Sequence, residues 1–344
     1  MKLAVVLFNL GGPDSLEAVE PFLRNLFSDP AILSMPWFLR WPLAWVIARR
    51  RAPFAREIYA KIGGSSPIVA ETRAQADVLD KVLAQSDLDA KCFIAMRCWH
   101  PFSDGAALAV KAWGAERIVL LPLYPQFSTT TSASSLADWK RAAGKAGLQA
   151  PTSEICCYPD HLDFIAATAE LIQTAFEARK PGVDYRLLLS AHGLPKQTIA
   201  KGDPYQWQVE RTAKAIVDAL GMEGLDWSVC YQSRVGPLEW IGPATDAEIR
   251  RAGADGKGAI VVPIAFVSEH SETLVELDIE YADLAKAAGV ADYLRVPTVR
   301  SHPRFVAALA DLVLRAAQSP RIINGTGGRL CPHDFKTCPM PETA

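Results

Sequence analysis

Short apolar runs alternate along this chain with segments of helical periodicity, and that alternation limits its fold more than any other feature. Most residues in these runs are apolar and many are β-branched, which is typical of parallel strands covered on both faces. Strand–helix–strand alternation of this kind predicts an α/β fold built on parallel sheets. The predicted strands are Leu3–Leu10, Lys91–Met96, Arg117–Leu123, Arg186–Ala191, Trp227–Gln232 and Ala259–Val267.

The two halves of the chain also resemble each other. The first pair of similar segments is LAVVLFNLGGP, from Leu3, and RLLLSAHGLP, from Arg186. The second pair is CFIAMR, ending at Arg97, and VCYQSR, ending at Arg234. The third pair is RIVLLPLYPQFSTTT and AIVVPIAFVSEHSET. Three pairs in the same order predict two similar Rossmann-like domains that face each other across a cleft.

Length and charge limit the organisation of the chain and its partners. A chain of 344 residues has room for about two domains. We predict domains at 1–157 and 158–302, followed by a C-terminal segment at 303–344. In that segment a closing helix, Phe305–Ala317, is expected to pack back on the first domain. The net charge of −2 gives no general basic surface, so nucleic acid is not an expected partner.

The N-terminus and the cysteines indicate a reduced compartment. The apolar run of the first ten residues is followed by Gly-Gly-Pro-Asp without a small-residue cleavage site, so we interpret it as a strand, not a signal peptide. The seven cysteines are odd in number and irregularly spaced, which favours free thiols in a cytoplasmic protein. No run of 18 apolar residues occurs, so no membrane-spanning helix is expected.

An unusual tryptophan-rich segment covers residues 31–48. It contains Trp37, Trp41 and Trp45 and runs into the basic cluster Arg49–Arg51. Aromatic residues beside a basic cluster are typical of a surface that enters a bilayer interface or grips an apolar ligand. The alternative is a buried, proline-kinked core segment. We predict a hydrophobic lip at 31–48 and peripheral membrane contact through 31–51.

A row of carboxylates follows the last long predicted strand. Glu269, Glu272, Glu276 and Glu280 are spaced by three or four residues, which places them on one face of a helix, and His270 lies among them. Close carboxylates titrate as a group, and they can pass protons or a divalent cation. The alternative is a solvated helix face. We predict a charged track into an apolar pocket.

A histidine at the end of another predicted strand is the candidate base. His192 lies in SAHGLP beside Gly193, and an imidazole titrates near neutrality. A structural histidine is the alternative reading. Two further loops present an aromatic ring and a row of hydroxyls: GPLEWIGP, with Trp240, and YPQFSTTT, with Tyr124 and Ser128. The predicted ligand is large, flat and apolar, with acid–base and metal chemistry at its centre.

Seven motifs together resemble the ferrochelatases, which insert ferrous iron into protoporphyrin IX to form protohaem. They are FNLGGPDS, IGGSSPI, YPQFSTTTSASS, SAHGLP, KGDPY, YQSRVGPLEWIGP and FVSEHSETLVELDIEY, in the family's order from about residue 3 to 310. The resemblance implies two similar domains, each a four-stranded parallel sheet flanked by helices. It also implies a cytoplasmic enzyme peripheral to the inner membrane. Both a monomer and a homodimer agree with it.

The resemblance also implies roles for individual residues. His192 and Glu272 match the catalytic pair, with His192 as proton acceptor. The residues that match the iron and proton track are His192, Glu272, His270, Glu276 and Glu280. The residues expected at the porphyrin are Leu10, Arg97, Tyr124, Ser128, Trp240 and Phe266. A pocket that binds a bent macrocycle would bring it toward the transition state.

Other activities stay open at this stage. A coproporphyrin ferrochelatase and a cobalt chelatase are the nearest alternatives, although the tryptophan-rich lip favours the apolar protoporphyrin over the four-carboxylate coproporphyrin. A non-catalytic tetrapyrrole carrier is the alternative from another class. A carrier needs neither a base nor a proton track, so His192 and Glu272 together argue against it.

The C-terminal sequence CPHDFKTCP resembles the region that holds a [2Fe–2S] centre in some ferrochelatases. Such a centre needs about four thiolates. The tail provides Cys331 and Cys338, and Cys156 and Cys157 lie near the boundary between the repeats. We predict a cluster on these four residues. A structural zinc ion and a flexible tail with free thiols are the alternatives.

Overall fold

The computed structural model of the chain describes residues 1–234, 236–318 and 321–341. Val235 of the YQSRVGPLEWIGP motif lies outside the described residues, as do positions 319, 320 and 342–344 of the predicted C-terminal segment.

Helices and strands alternate through most of the described chain. The strands are β1 (Lys2–Asn9), β2 (Asp89–Met96), β3 (Arg117–Pro122), β4 (Thr152–Ile155), β5 (Tyr185–His192), β6 (Trp227–Gln232), β7 (Gly258–Pro263), β8 (Tyr293–Arg295) and β9 (Ile322–Ile323). The α-helices are α1 (Val19–Ser28), α2 (Trp37–Ala60), α3 (Ile68–Leu83), α4 (Ser103–Trp113), α5 (Ser132–Ala146), α6 (Leu162–Glu177), α7 (Lys196–Ala200), α8 (Tyr205–Leu220), α9 (Thr245–Ala254), α10 (Tyr281–Ala287) and α11 (Pro303–Ala316). A π-helix covers Glu272–Glu280.

Two parallel sheets form the centre of the molecule, one in each half. In the described residues the first sheet has the order β2-β1-β3-β4-β9 and the second has the order β6-β5-β7-β8. The central strand β1 is fully buried from Leu3 to Phe8, because helices cover both faces of its sheet. The prediction of two parallel sheets flanked by helices is confirmed. The first sheet gains β9, a fifth strand of only two residues.

The C-terminal segment contacts both halves. Helix α11 packs against α3 and β4 from the first half and against α6 from the second. Strand β9 pairs in parallel with β4, and the backbone N–H of Cys156 donates to the carbonyl oxygen of Ile323 at 2.8 Å. The segment after residue 302 therefore packs on the first half and on α6 of the second, and the domain boundaries at 157 and 302 stay a prediction.

Helix α2 carries the tryptophan-rich segment and has two unlike faces. Trp37, Trp41 and Trp45 have exposed fractions of 74%, 66% and 45%. Ala44 and Ala48 are buried on the opposite side, where α2 packs on α1. The helix continues through two prolines, but its tryptophans point to solvent, so the segment is not buried core. Among the residues that the structure describes, no helix combines the length and apolar character needed to cross a bilayer.

Candidate active site

The candidate residues collect where parallel strands end. His192 is the last residue of β5, and Leu10 and Arg97 directly follow β1 and β2. Tyr124 and Ser128 follow β3 within six residues, and Phe266 follows β7. In open α/β sheets, ligands bind outside the carboxyl ends of the strands. The topology therefore brings residues from distant parts of the sequence to the corresponding edges of the two sheets.

The backbone orients the His192 ring. Its Nδ1 lies 2.5 Å from the carbonyl oxygen of Gly193, and a carbonyl oxygen only accepts, so Nδ1 is the donor. In the neutral ring, Nε2 is then the nitrogen with a free lone pair. Nε2 lies 3.8 Å from Oε1 of Glu272. A proton taken up by Nε2 would therefore be stabilised by the carboxylate.

Glu272 lies between two histidines. Its Oε2 lies 3.6 Å from Nε2 of His270, and His270 Nδ1 donates to the carbonyl oxygen of Ser268 at 3.0 Å. Burial acts to raise the pKa of the Glu272 carboxyl, but the charge of His192 and the contact with His270 lower the pKa to about 2. Burial acts to lower the pKa of His270, but its hydrogen bond and charge interaction with Glu272 raise the pKa overall. The carboxylate is thus held in its charged form.

The carboxylate row lies on a π-helix, where the sequence analysis assumed ordinary helical geometry. In a π-helix the hydrogen bonds join residues five apart, and such segments are rare and frequent at functional sites. The wider turn still places Glu272, Glu276 and Glu280, spaced by four, at successive turns. Glu269 precedes this helix and forms a separate buried ion pair with Arg295 at 2.7 Å. The row therefore has three members, not four.

Glu276 is held by groups that the sequence analysis did not single out. Its carboxylate accepts from the backbone N–H of Ser233 at 2.8 Å and from the Ser233 hydroxyl. Gln232 Nε2 donates to it at 3.1 Å and the Tyr281 hydroxyl at 2.9 Å. Burial, together with the charge of Glu272, raises the pKa of Glu276 despite these donors. A carboxyl with a raised pKa, one turn from Glu272, is suited to proton transfer.

Glu280 ends the row near solvent. Its side chain is 44% exposed, and its Oε1 lies 4.0 Å from Nζ of Lys61, just beyond α2. The Ser271 hydroxyl lies 3.4 Å from the Tyr59 hydroxyl of the same helix. The tryptophan-bearing helix therefore contacts both ends of the carboxylate row.

Aromatic residues lie on both sides of the histidine pair. The ring centroid of Phe266 is 4.6 Å from that of His270. Trp240 forms a β-bridge with Pro195, and it lines a cavity of about 550 Å³ together with Lys196 and Gln206. A Cβ on Gly193 would lie 3.0 Å from Gln232 O and 3.2 Å from the Trp240 ring. Glycine at position 193 therefore lets Trp240 pack closely against the end of β5.

The remaining porphyrin candidates have structural partners. Arg97 forms an ion pair with the buried Asp29 at 2.9 Å and donates to the Ser134 hydroxyl at 2.7 Å. Ser128 is buried and donates to Asp203 at 3.1 Å. Tyr124 packs against the core of the first half, and Leu10 packs with residues of α1 and α2. Asp203 was not singled out from the sequence, although it belongs to the KGDPY motif.

Four cysteines from distant positions meet in one buried cluster, the thiol cluster of Cys156, Cys157, Cys331 and Cys338. The Sγ atoms of Cys156 and Cys157 lie 3.0 Å apart. Gln208 Nε2 donates to Sγ of Cys331 at 3.1 Å. The hydrogen bond from Cys331, with smaller help from the Met340 backbone and Arg329, holds the pKa of Cys338 below its ordinary value.

The thiol cluster provides the number and kind of ligands that an iron–sulfur centre needs. The four cysteine side chains are nevertheless packed together in one buried group. Within the described parts of the chain, no three His, Cys, Asp or Glu side chains are placed so that they could hold a metal ion.

Comparison with known proteins agrees with this geometry. The sequence profile of the ferrochelatase family matches residues 2–317. The chain is 49% identical to the ferrochelatase of Pelagibacter ubique (strain HTCC1062) over 343 residues, covering 98% of both proteins. It is 51% identical to the ferrochelatase of Caulobacter vibrioides (strain NA1000 / CB15N) over 346 residues, covering 100% of this chain and 99% of that protein.

Solved structures support the fold. The structure described as SirB from Bacillus subtilis with Fe3+ has a TM-score of 0.55 and 14% identity, and the match covers 92% of this chain and 96% of that one. At this identity the likeness supports the fold alone. The family profile and the full-length relatives carry the assignment: the chain belongs to the ferrochelatase family, the enzymes that insert ferrous iron into a porphyrin.

Proposed function

We propose that this chain inserts Fe2+ into protoporphyrin IX and releases two protons, with His192 as the proton acceptor and Glu272 as its partner carboxylate. The observation that carries the proposal is the orientation of His192. Its Nδ1 is occupied by the Gly193 carbonyl, and its Nε2 lies within 3.8 Å of a charged carboxylate. A base with a defined acceptor nitrogen and an adjacent anion is what removal of pyrrole protons requires.

The charged row gives those protons a route to solvent. Each Fe2+ that enters the macrocycle replaces two pyrrole protons. A proton on His192 is stabilised by the charged Glu272, and Glu276, whose pKa is raised by burial and by the charge of Glu272, is the next carboxyl of the row that could take it up. Glu280, at the exposed end, completes the route. The His270 imidazole and the same carboxylates are also nitrogen and oxygen ligands that would guide Fe2+ inward.

Aromatic and apolar side chains would hold the macrocycle. Phe266 and Trp240 offer rings beside the histidine pair, and Leu10 offers an apolar side chain from the first half. The contacts described above fix the positions of Arg97, Tyr124 and Ser128. These side chains would therefore act as rigid parts of the pocket wall. A rigid pocket that fits a bent porphyrin exposes the pyrrole nitrogens to the incoming metal.

Anaerobic turnover tests this function. Purified protein is mixed with Fe2+ and protoporphyrin IX, and absorbance follows the conversion of free porphyrin to haem. Catalytic turnover supports the proposal. Faster turnover with coproporphyrin, or with Co2+, would assign one of those chelatases instead. Stoichiometric porphyrin binding without turnover would identify a carrier.

The thiol cluster is proposed to hold a [2Fe–2S] centre through Cys157, Cys331, Cys338 and Cys156. Four buried thiols converge there, and the contact between Cys331 and Cys338 lowers the pKa of Cys338, which favours its thiolate, while it raises the pKa of Cys331. Gln208 already donates to Sγ of Cys331, and hydrogen bonds to sulfur tune such centres. When bound, the centre would supply a covalent link between the tail and the boundary of the repeats.

Metal analysis of the protein purified without oxygen checks this proposal. We expect about two iron and two sulfide per chain, and Cys338→Ala should lower both about tenfold because one ligand is lost. Cys230→Ala is the matched control, since Cys230 is also buried but lies in the core of the second half. Stoichiometric zinc would identify the structural zinc site. Free thiols without metal, even after reconstitution with iron and sulfide, would contradict both the iron–sulfur centre and the zinc site.

Peripheral membrane contact is proposed through residues 31–51. Trp37 and Trp41 are exposed on one face of α2, and the exposed Arg49 and Arg50 and the half-buried Arg51 follow along the helix. Tryptophan prefers the interface of a bilayer, and arginine adds attraction to anionic lipid.

Vesicle flotation tests the contact. With vesicles of phosphatidylglycerol and phosphatidylethanolamine, Trp37→Ser/Trp41→Ser should weaken binding at least about tenfold, because two interfacial anchors are removed. Leu162→Ser, which changes another highly exposed apolar residue on α6, should leave binding unchanged. Equal binding by the tryptophan variant and the wild-type protein would refute membrane contact through this helix.

A further inference from the structure

Gln75 is a polar side chain of the first half that is fully buried. It lies on α3, and its amide reaches into the second half. Nε2 donates to the carbonyl oxygens of Val267 at 2.8 Å and Arg300 at 3.0 Å. Oε1 accepts from the Ser268 hydroxyl at 3.2 Å. Three hydrogen bonds cross the boundary between the repeats through this one amide.

The segment that Gln75 holds leads directly to the candidate catalytic residues. The Ser268 hydroxyl donates to Gln75 Oε1 at 3.2 Å, and the Ser268 carbonyl oxygen accepts from His270 Nδ1 at 3.0 Å. His270 Nε2 faces Glu272, which faces His192. A continuous series of polar contacts therefore joins Gln75 to the proposed base.

A second amide supports the same segment at its start. Gln126, from the loop after β3, donates through Nε2 to the carbonyl oxygen of Ile264 at 3.1 Å. Phe266 lies between the two supported carbonyl groups, those of Ile264 and Val267. The segment that carries an aromatic residue of the site is thus held at both ends by buried amides from the first half.

Helix α3 also contacts the end of strand β1 in the first half. The Thr72 hydroxyl accepts from Asn9 Nδ2 at 3.2 Å, and Asn9 immediately precedes Leu10. One turn before Gln75, Glu71 forms a two-point ion pair with Arg300. The same helix therefore contacts the end of β1 in the first half and, through Glu71 and Gln75, the segments after β8 and β7 in the second half.

We propose that Gln75 is a positioning residue for metal insertion: its amide fixes the 267–270 segment so that His270 and Glu272 face His192. The inference rests on the proposed function. Misplacement by about 1 Å of groups that act together can lower a rate by about 100-fold, even when the change is far from the chemistry. Porphyrin binding, which depends on many apolar contacts, should respond much less.

The test compares kcat with porphyrin affinity in two variants of the full chain. Gln75→Leu keeps the size of the side chain but removes its donors and acceptor, and we expect kcat to fall about 10- to 100-fold. The porphyrin Kd, measured by fluorescence quenching, should change less than about threefold. Ser268→Ala removes one of the three contacts, so it should lower kcat by only about threefold, and the double variant should be no worse than Gln75→Leu.

Ser153→Ala is the matched control for stability. Ser153 is also fully buried and donates to the Ala316 carbonyl oxygen at 2.7 Å, joining β4 to α11 away from the site. It should lower the melting temperature without changing kcat. The inference fails if the folded Gln75→Leu protein, assayed below its melting temperature, keeps wild-type kcat, or if Ser268→Ala is additive with it. If Gln75→Leu does not fold, the test compares kcat between Ser268→Ala and Ser153→Ala. A lower kcat in Ser268→Ala alone supports the inference, and equal values contradict it. Absence of turnover in the wild-type protein would overturn the proposed function itself.

Discussion

His192→Ala is expected to lower kcat for iron insertion by about 10²- to 10⁴-fold, the usual contribution of a general base. The physical reason is the defined geometry of the ring. Gly193 fixes the tautomer, and Nε2 is the acceptor nitrogen that Glu272 can stabilise once it is protonated. Alanine leaves the strand end intact and removes the only part of residue 192 that can take a proton. Anaerobic turnover at saturating porphyrin and Fe2+ measures the loss.

Porphyrin binding distinguishes the interpretations of this variant. Binding by His192→Ala should stay within about threefold of wild type, because the apolar contacts of the macrocycle do not involve the imidazole. His302→Ala is the matched control: His302 also faces a glutamate, Glu170, at 3.3 Å, but it lies at the start of α11. It should keep normal kcat. Loss of binding in proportion to turnover would argue for a porphyrin carrier, and unchanged turnover would exclude His192 as the base.

Glu272→Gln should lower kcat by about 10²-fold, because the charge that stabilises a protonated His192 is lost. The carboxylate lies between His192 and His270, and together they lower the pKa of Glu272 to about 2, so it is charged throughout the working pH range. The amide is nearly the same size, which limits the change to charge and proton acceptance. The effect should fall on kcat, and the porphyrin Kd should change little.

Asp283→Asn provides the control for this charge change. Asp283 is exposed on α10, directly beyond the π-helix, and its neutralisation alters net charge equally. We expect its kcat to equal that of the wild-type protein. If Glu272→Gln retained full turnover, or if Asp283→Asn lost as much, Glu272 would not act as the specific partner of His192.

Much of the fold could be predicted because long, buried parallel strands have a clear pattern in the sequence. Strand β6 was predicted to the residue, and the other long strands within a few residues, since buried strands are continuous apolar runs with sharp polar limits. The short strands β4, β8 and β9 were missed. Two to four residues give no periodicity to read.

The candidate site was predictable in part for a related reason. A residue that follows a parallel strand must lie at the carboxyl edge of the sheet, so His192 could be placed from its position in SAHGLP. His192 and Glu272 come together because β5, which ends at His192, and β7, which precedes Glu272, are neighbouring parallel strands of the second sheet. The π-helix was not predictable, because spacings of three and four fit an ordinary helix equally well.

The sequence by itself determined which residues could be strands, which loops would meet at the cleft, and which family the motifs resemble. Tertiary structure alone decided the contacts between residues far apart in the chain. Gln75 donates to the carbonyl oxygen of Val267, 192 residues away in the sequence. Gln208 donates to the sulfur of Cys331, 123 residues away. Local sequence encodes strand and helix because their hydrogen bonds are short-range, whereas a buried amide acquires its partners only when two separately formed layers pack together.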